Sequence, residues 1–198
     1  MTVSAEKLSA TYGKGDKRMS RIGKKPIAIP EKVIVEIAAG KVCVKGPLGE
    51  LNWDYPDKMK VAADGGTISV ERSGDSKVER ALHGLTRSIL HNMVVGVSQG
   101  YRKVLEIFGV GYKAQVAGDR IVFALGYSHQ IEFLLPPNVK ASVDQKQVQI
   151  TLTSIDKQQI GQVAASLKSL RLPDAYKGKG IRYAGERLKL KAGKAGKK

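Results

Sequence analysis

The chain has 198 residues, 42% of them hydrophobic, and carries 34 Lys and Arg against 18 Asp and Glu, a formal net charge of +16. That excess calls for a polyanionic partner, and the length supports one large or two small domains with their own cores. No run approaches the ~18 apolar residues of a membrane-spanning helix, and the lone cysteine, Cys43, excludes a disulfide framework or thiolate metal site and suits a reducing compartment.

Residues 1–18 are polar, contain glycine, lack the apolar stretch of a secretory signal and precede a second methionine, Met19. They read as a flexible extension or an upstream start. Period-two alternation then predicts short strands over 33–37, 41–45, 50–55, 59–63 and 67–72, with Gly40 and Asp64-Gly65 as hairpin turns. Ser76 and Glu79 make a capping box for a helix whose inward positions are Val78, Leu82, Leu85, Ile89 and Met93, ending near Gly96. The same order follows again. Strands are predicted over 103–108, 112–117, 120–125, 130–135, 139–144 and 148–152, turning at Gly118-Asp119. A second helix, capped by Ser154 or Asp156, turns Ile160, Val163, Ala164, Leu167 and Leu170 inward and stops before Pro173.

The two halves are copies. At a spacing of 80, residues 42–70 align without a gap on 122–150, with identities at Val42/Val122, Gly46/Gly126, Pro56/Pro136, Lys60/Lys140 and Asp64/Asp144. Apolar character is kept at Leu51/Ile131, Trp53/Phe133, Ile68/Val148 and Val70/Ile150, while the helical faces match best at 78. The period exceeds the roughly 20 to 50 residues of solenoid repeats. The expected fold is therefore α+β, two tandem duplicated domains, each a mostly antiparallel β-sheet with one helix packed on one face. The boundaries expected are a 1–18 extension, domains at 19–99 and 100–185, and a basic tail at 186–198.

Little here supports catalysis, a metal or a cofactor. His83 and His91 stand eight apart on the first helix, the wrong interval for a shared metal, and His129 follows a turn alone. "GVG" at 109–111 leads into a strand rather than a helix, and "GKG" at 178–180 lacks the phosphate-loop spacing. Cys43 reads as a small buried hydrophobe, and Trp53 and Phe133 as aromatic cores of their sheets. Arg80, His83, Arg87 and His91 form a polar helical stripe, read as solvated rather than facing RNA or a protein; Gly84 marks a close approach.

Charge gathers at the ends: residues 1–25 are net +5 and residues 171–198 net +8. The stretch "LPDAYKGKGIRY" at 172–183 shows no obvious core, so it is expected to act outside the fold. Lys177, Lys179 and Arg182 suit phosphates, Gly178 and Gly180 let backbone approach an RNA groove, and Tyr176 and Tyr183 suit stacking. Beyond it, 186–198 reads as an arm that orders on binding.

"MSRIGKKPIAIP" (19–30), "GPLGEL" (46–51), "ALHGLTRSILHNMVVGV" (81–97), "LEIFGVGYKAQ" (105–115), "LGYSHQIEF" (125–133) and "PDAYKGKGIRY" (173–183) together resemble the bacterial-type large-subunit ribosomal protein six family, over about 19–191. The resemblance implies a non-enzymatic structural protein of the large ribosomal subunit, bound to large-subunit rRNA mainly through its second domain and tail. It implies a place beside the sarcin–ricin loop at the stalk base, among neighbouring ribosomal proteins and near docking translation factors. The contacts implied are Gly126, Tyr127, Ser128 and His129; Tyr176, Lys177, Gly178, Lys179, Gly180, Arg182 and Tyr183; then Arg187, Lys189 and Lys191, with Arg21, Lys24 and Lys25 lesser candidates. No cofactor, membrane or small-molecule substrate is expected, and the bacterial cytoplasm is expected over a plastid ribosome. Residues 1–18 fall outside the resemblance. The alternative is a free-standing RNA-binding or RNA-chaperone module outside the ribosome.

Overall fold

The computed structural model describes residues 22–38 and 40–193. The first half forms β1 (Ile27–Ala28), β2 (Ile34–Ala38), β3 (Lys41–Gly46), β4 (Gly49–Asp54), β5 (Met59–Asp64) and β6 (Thr67–Arg72), then α1 (Lys77–Ser98). The second forms β7 (Tyr101–Phe108), β8 (Lys113–Ala117), β9 (Arg120–Ala124), β10 (Ile131–Leu134), β11 (Val139–Val143) and β12 (Gln149–Ser154), then α2 (Lys157–Leu170) and β13 (Gly180–Tyr183). The strands pair antiparallel, as the alternation predicts.

Each half contains two sheets rather than the single sheet expected. The strand orders are β2-β3-β4 and β1-β6-β5 in the first half, β8-β9-β10 and β11-β12-β7-β13 in the second. Alternation gives every strand one apolar face, and two such faces closed by a helix share one dry interior. Val42 and Val44 of β3, Ile68 and Val70 of β6, and Leu90 and Val97 of α1 join in the first core. Leu105 and Ile107 of β7, Phe123 of β9, Leu152 of β12, Leu167 of α2 and Ile181 of β13 join in the second. Trp53 and Phe133 pack, partly buried, against these clusters. Cys43 lies between the inward Val42 and Val44, so it takes the other face of β3 and is only partly buried, contrary to expectation.

Pairing also refines the repeat. Trp53 pairs with Val42, but its counterpart Phe133 pairs with Ile121, not Val122. The β5–β6 hairpin closes at Asp64 and Thr67, whereas the β11–β12 ladder ends at Val143 and Ile150. Loops of different length shift the register, and a one-residue slip reverses which side chains face inward. Val42 and Val44 are accordingly buried in the first half whereas Ile121 and Phe123, not Val122 and Ala124, turn inward in the second; Val148, aligned with the buried Ile68, falls before β12 begins and is 36% exposed.

The helix caps were legible locally. The Ser76 hydroxyl accepts from the Glu79 amide (3.2 Å), and the Glu79 carboxylate accepts from the Ser76 amide (2.9 Å). Of the two candidates for α2, Asp156 is the cap, accepting from the Gln158 amide at 2.7 Å. The buried face of α1, however, comprises His83, Thr86, Leu90, Met93, Val94, Gly96 and Val97, while Val78 and Leu85 are 61% and 52% exposed. His83 is tolerated inside because both ring nitrogens are used: Nε2 donates to the Val70 carbonyl (2.9 Å), and Nδ1 accepts from Arg72 (3.2 Å). The expected solvated stripe thus loses His83; His91 is exposed, Arg80 and Arg87 are half-buried, and Gly84 lies off the buried face.

The halves meet at the C-terminal end of α1. Tyr101 hydroxyl donates to the Asn92 carbonyl (3.0 Å), and Lys157 Nζ donates to Asn92 Oδ1 (3.1 Å).

Candidate nucleic-acid interface

After α2 the chain turns at Asp174, whose carboxylate accepts from the Lys177 (2.9 Å) and Tyr176 (3.2 Å) amides. Those amides, Lys177 first, hold its carboxyl below the usual range. The Gly178 amide donates to the Asp174 carbonyl and the Asp174 amide to the Lys179 carbonyl, closing the turn at both ends. Lys177, Lys179 and Tyr176 are left exposed on its outside.

The next residues go inward, which corrects the expectation that 172–183 holds no core. Gly180 to Tyr183 pair with β7 as its outer neighbour, Ile181 opposite Ile107, and Ile181 is fully buried. Gly178 and Gly180 are buried too, so they serve the turn and strand rather than lending backbone to a groove. Arg182 stacks on the Phe108 ring at 3.5 Å and bonds Glu106 at 3.4 Å. Tyr183 packs on the second core with Lys103 and Lys168 at 5.3 and 4.9 Å from its ring. Ile181 and Tyr183 alone, among lysines and glycines, are too short an alternation to signal a strand, so only the open edge of β7 reveals it.

The tail is laid down as well. Glu186 accepts from Lys168 Nζ (2.6 Å) and from the Tyr183 amide (3.0 Å), and the Lys191 amide donates to the Ala175 carbonyl (2.8 Å). Through Lys191 it is therefore tied to the turn, unlike the free arm expected; 194–198 lie outside the described residues. Arg187, Lys189 and Lys191 are exposed, while Leu188 sits over Gly178. The Lys168 hydrogen bond, then the Tyr183 amide, lower the Glu186 pKa from the usual 4.5. A depressed carboxyl stabilises the fold above its unfolded pKa and stops doing so as pH falls through the folded one. The protection factor of the Tyr183 amide, its exchange rate relative to that of an unstructured amide at the same pH, is therefore expected to fall as pH drops below about 4.5, a step absent in Glu186→Gln.

The loop after β9 carries the second candidate set. Gly126 has φ 75°, and a methyl there would come 2.8 Å from the Tyr112 ring. Tyr127 donates to the Leu170 carbonyl (3.1 Å), and its ring has the His129 ring at 6.2 Å and the Arg171 guanidinium at 4.8 Å. Ser128 and His129 are exposed. This set and the turn at 174–179 both adjoin the C-terminal end of α2. Arg171, Lys103 and Lys168 support the candidate residues but belong to no motif, and Glu106 and Tyr112, although inside the 105–115 motif, carry no signal of this role; each is distant in sequence from the candidate residue it supports and meets it only through the fold. Lys24 and Lys25 are exposed ahead of β1, and Arg21 lies outside the described residues.

The site is thus a basic, partly aromatic surface, and sequence comparisons agree with that chemistry. A family model described as Ribosomal protein L6 matches twice, at 29–100 and 108–184, once per half. A Thermodesulfovibrio yellowstonii protein named Large ribosomal subunit protein uL6 is 55% identical over 180 residues, covering 91% of this chain and all of the relative. Proteins of the same name from Koribacter versatilis and Listeria innocua are 51% and 48% identical, covering 91% and 90% of this chain and all of each relative. Two matched repeats, the duplicated fold and relatives similar over nine-tenths of its length place the chain in the ribosomal protein L6 family, a family of structural ribosomal proteins rather than enzymes.

Proposed function

We propose that this protein is a structural constituent of the large ribosomal subunit in the cytoplasm that binds large-subunit rRNA beside the sarcin–ricin loop, at the stalk base. Residues 100–185 and the tail hold the RNA, residues 19–99 complete the protein's footprint among neighbouring ribosomal proteins, and the fixed RNA surface supports docking of translation factors. The observation that supports this most is the exposure of Lys177, Lys179, Arg187, Lys189 and Lys191 on backbone anchored by Asp174, Ile181 and Glu186. Lysines and arginines neutralise phosphates, and backbone ordered before binding loses less entropy on association. Gly126, Tyr127, Ser128 and His129 add a second contact, with His129 stacking beside Tyr127.

The test is binding of an rRNA fragment carrying the sarcin–ricin region, against an unrelated RNA of equal length, across a salt series. Lys177→Ala with Lys179→Ala is expected to flatten the log–log salt slope by about 0.7–0.9 for each lost phosphate contact, with thermal stability unchanged. A wild-type slope in that variant overturns the assignment. Arg182→Ala is a poor probe of RNA contact, because it strands half-buried Glu106 and so changes stability as well.

A further inference from the structure

A second concentration of positive charge lies away from the tail, where α1 of the first half meets the start of α2. Three segments distant in sequence converge on the exposed side of α1: the turn before β1 brings Lys25, the helix brings Arg87 and His91, and the first turn of α2 brings Lys157. Two of the cations are fixed in place. Arg87 Nε donates to the Lys25 carbonyl at 3.1 Å, and Lys157 Nζ donates to Asn92 Oδ1 at 3.1 Å. Among the described residues, Lys25, Arg87 and Lys157 form no ion pair with a carboxylate, whereas Lys45, Arg120 and Lys168 each hold a glutamate. Asp156, beside Lys157 in the chain, uses its carboxylate to cap α2.

Folding therefore collects like charges and leaves them unneutralised, an arrangement that repels itself until an anion arrives. We infer that Lys25, Arg87, His91 and Lys157 form a second phosphate-binding surface that grips the sugar–phosphate backbone of RNA. This rests on the reading of the protein as an RNA binder, and it adds a contact, most of it in the first half, that does not involve the tail. The chemistry selects phosphate: a guanidinium, two ammonium groups and an imidazole supply charged donors, with no aromatic or large aliphatic group among the four to anchor an apolar protein partner. Because the cations come from both halves, one RNA backbone seated here spans the junction between them.

His91 gives the surface a signature of its own. Partial burial, then Arg87, Lys157 and Lys25, hold its pKa below the usual 6.5. These are the charged groups that act on it from its own helix, from α2 and from the turn before β1. A phosphate placed among them reverses the sign of the local field, so binding favours the protonated ring, takes up a proton and strengthens as pH falls.

The experiment uses the full chain and the same rRNA fragment with three variants: Lys25→Gln/Arg87→Gln/Lys157→Gln, Lys177→Ala/Lys179→Ala, and His91→Gln. The first is expected to lower the salt slope by about 2–3 and the second to lower it independently, so that the combined variant shows both losses. Between pH 7.5 and 6.0, roughly spanning the ordinary imidazole range, wild-type affinity is expected to rise several-fold more than that of His91→Gln. If the triple variant keeps the wild-type slope while the turn variant loses it, the surface does not face RNA and the inference falls, while the proposed function stands. If the triple variant loses slope and the turn variant does not, the inference holds and the assignment of the turn falls. If neither changes, both fall. Should the triple variant melt early, Lys25→Gln/His91→Gln, altering two exposed side chains, reads the same slope with an expected loss of about 1 and decides in its place.

Discussion

Gly180→Ala is expected to destabilise the second half by about 3–5 kcal/mol, the sum of a backbone strain and a steric cost. Gly180 has φ 146°, where a residue with a side chain is strained, and a methyl there would stand 2.6 Å from the Leu172 carbonyl oxygen and 2.8 Å from that of Arg171. Both obstacles are backbone. The Arg171 carbonyl also accepts from the Ile181 amide at 2.8 Å, so moving it aside loosens the bond that seats β13. Ile181 then leaves the core, and Tyr183 loses the position from which its amide donates to Glu186. Urea unfolding monitored by circular dichroism checks this, and RNA affinity is expected to fall with the fold. Gly178→Ala is the milder comparison, since its methyl would meet only Leu188 and Leu190 side-chain ends at 3.4 and 3.6 Å, although its φ of 68° still costs about 1 kcal/mol. An unchanged midpoint in Gly180→Ala would contradict a buried β13.

The second large effect is a reversal of sign between two helical glycines. Replacing glycine by alanine inside a helix ordinarily stabilises by up to about 1 kcal/mol, because alanine loses less backbone freedom. Gly161 of α2 should follow that rule, since the nearest atom to an added methyl is Lys103 Nζ at 4.0 Å. Gly96 of α1 should not. A methyl there overlaps the Ile155 carbonyl oxygen and comes 3.2 Å from the Tyr101 ring, at the contact between the two halves. Neither helix nor loop can give way cheaply, because Tyr101 and Lys157 both hold Asn92 one turn earlier. Gly96→Ala is expected to destabilise by about 2–3 kcal/mol despite its gain in helix propensity. Denaturant midpoints of the two variants moving in opposite directions would establish that α1 is clamped between the halves; a shared direction would remove that clamp from the account.

Local chemistry was legible wherever its partners were neighbours in sequence. The Ser76–Glu79 capping box, the strand alternation and the inward Ile160, Val163, Ala164 and Leu167 of α2 are all set within one or two turns of chain. The candidate site was half legible. Lys177, Lys179 and Tyr176 lie outside as expected, and Arg187, Lys189 and Lys191 of the tail are exposed. Gly180, Arg182 and Tyr183 look the same in composition, but the edge of β7 draws them into the fold.

The sequence by itself determined the class of partner, through charge gathered at the ends, and the tandem α+β plan, through two patterned copies that also carry the family's motifs. It determined these because net charge and hydrophobic period are properties of the chain that survive any packing. Tertiary structure alone decided which side of α1 is inside. His83 is buried and Val78 is not, because the carbonyl of Val70 and the guanidinium of Arg72 wait on the facing sheet. It also decided that Ile181 belongs to a core and that Lys25, Arg87, His91 and Lys157 share a surface. Each depends on groups separated by tens of residues, whose meeting is fixed by how the sheets close and not by any spacing along the chain.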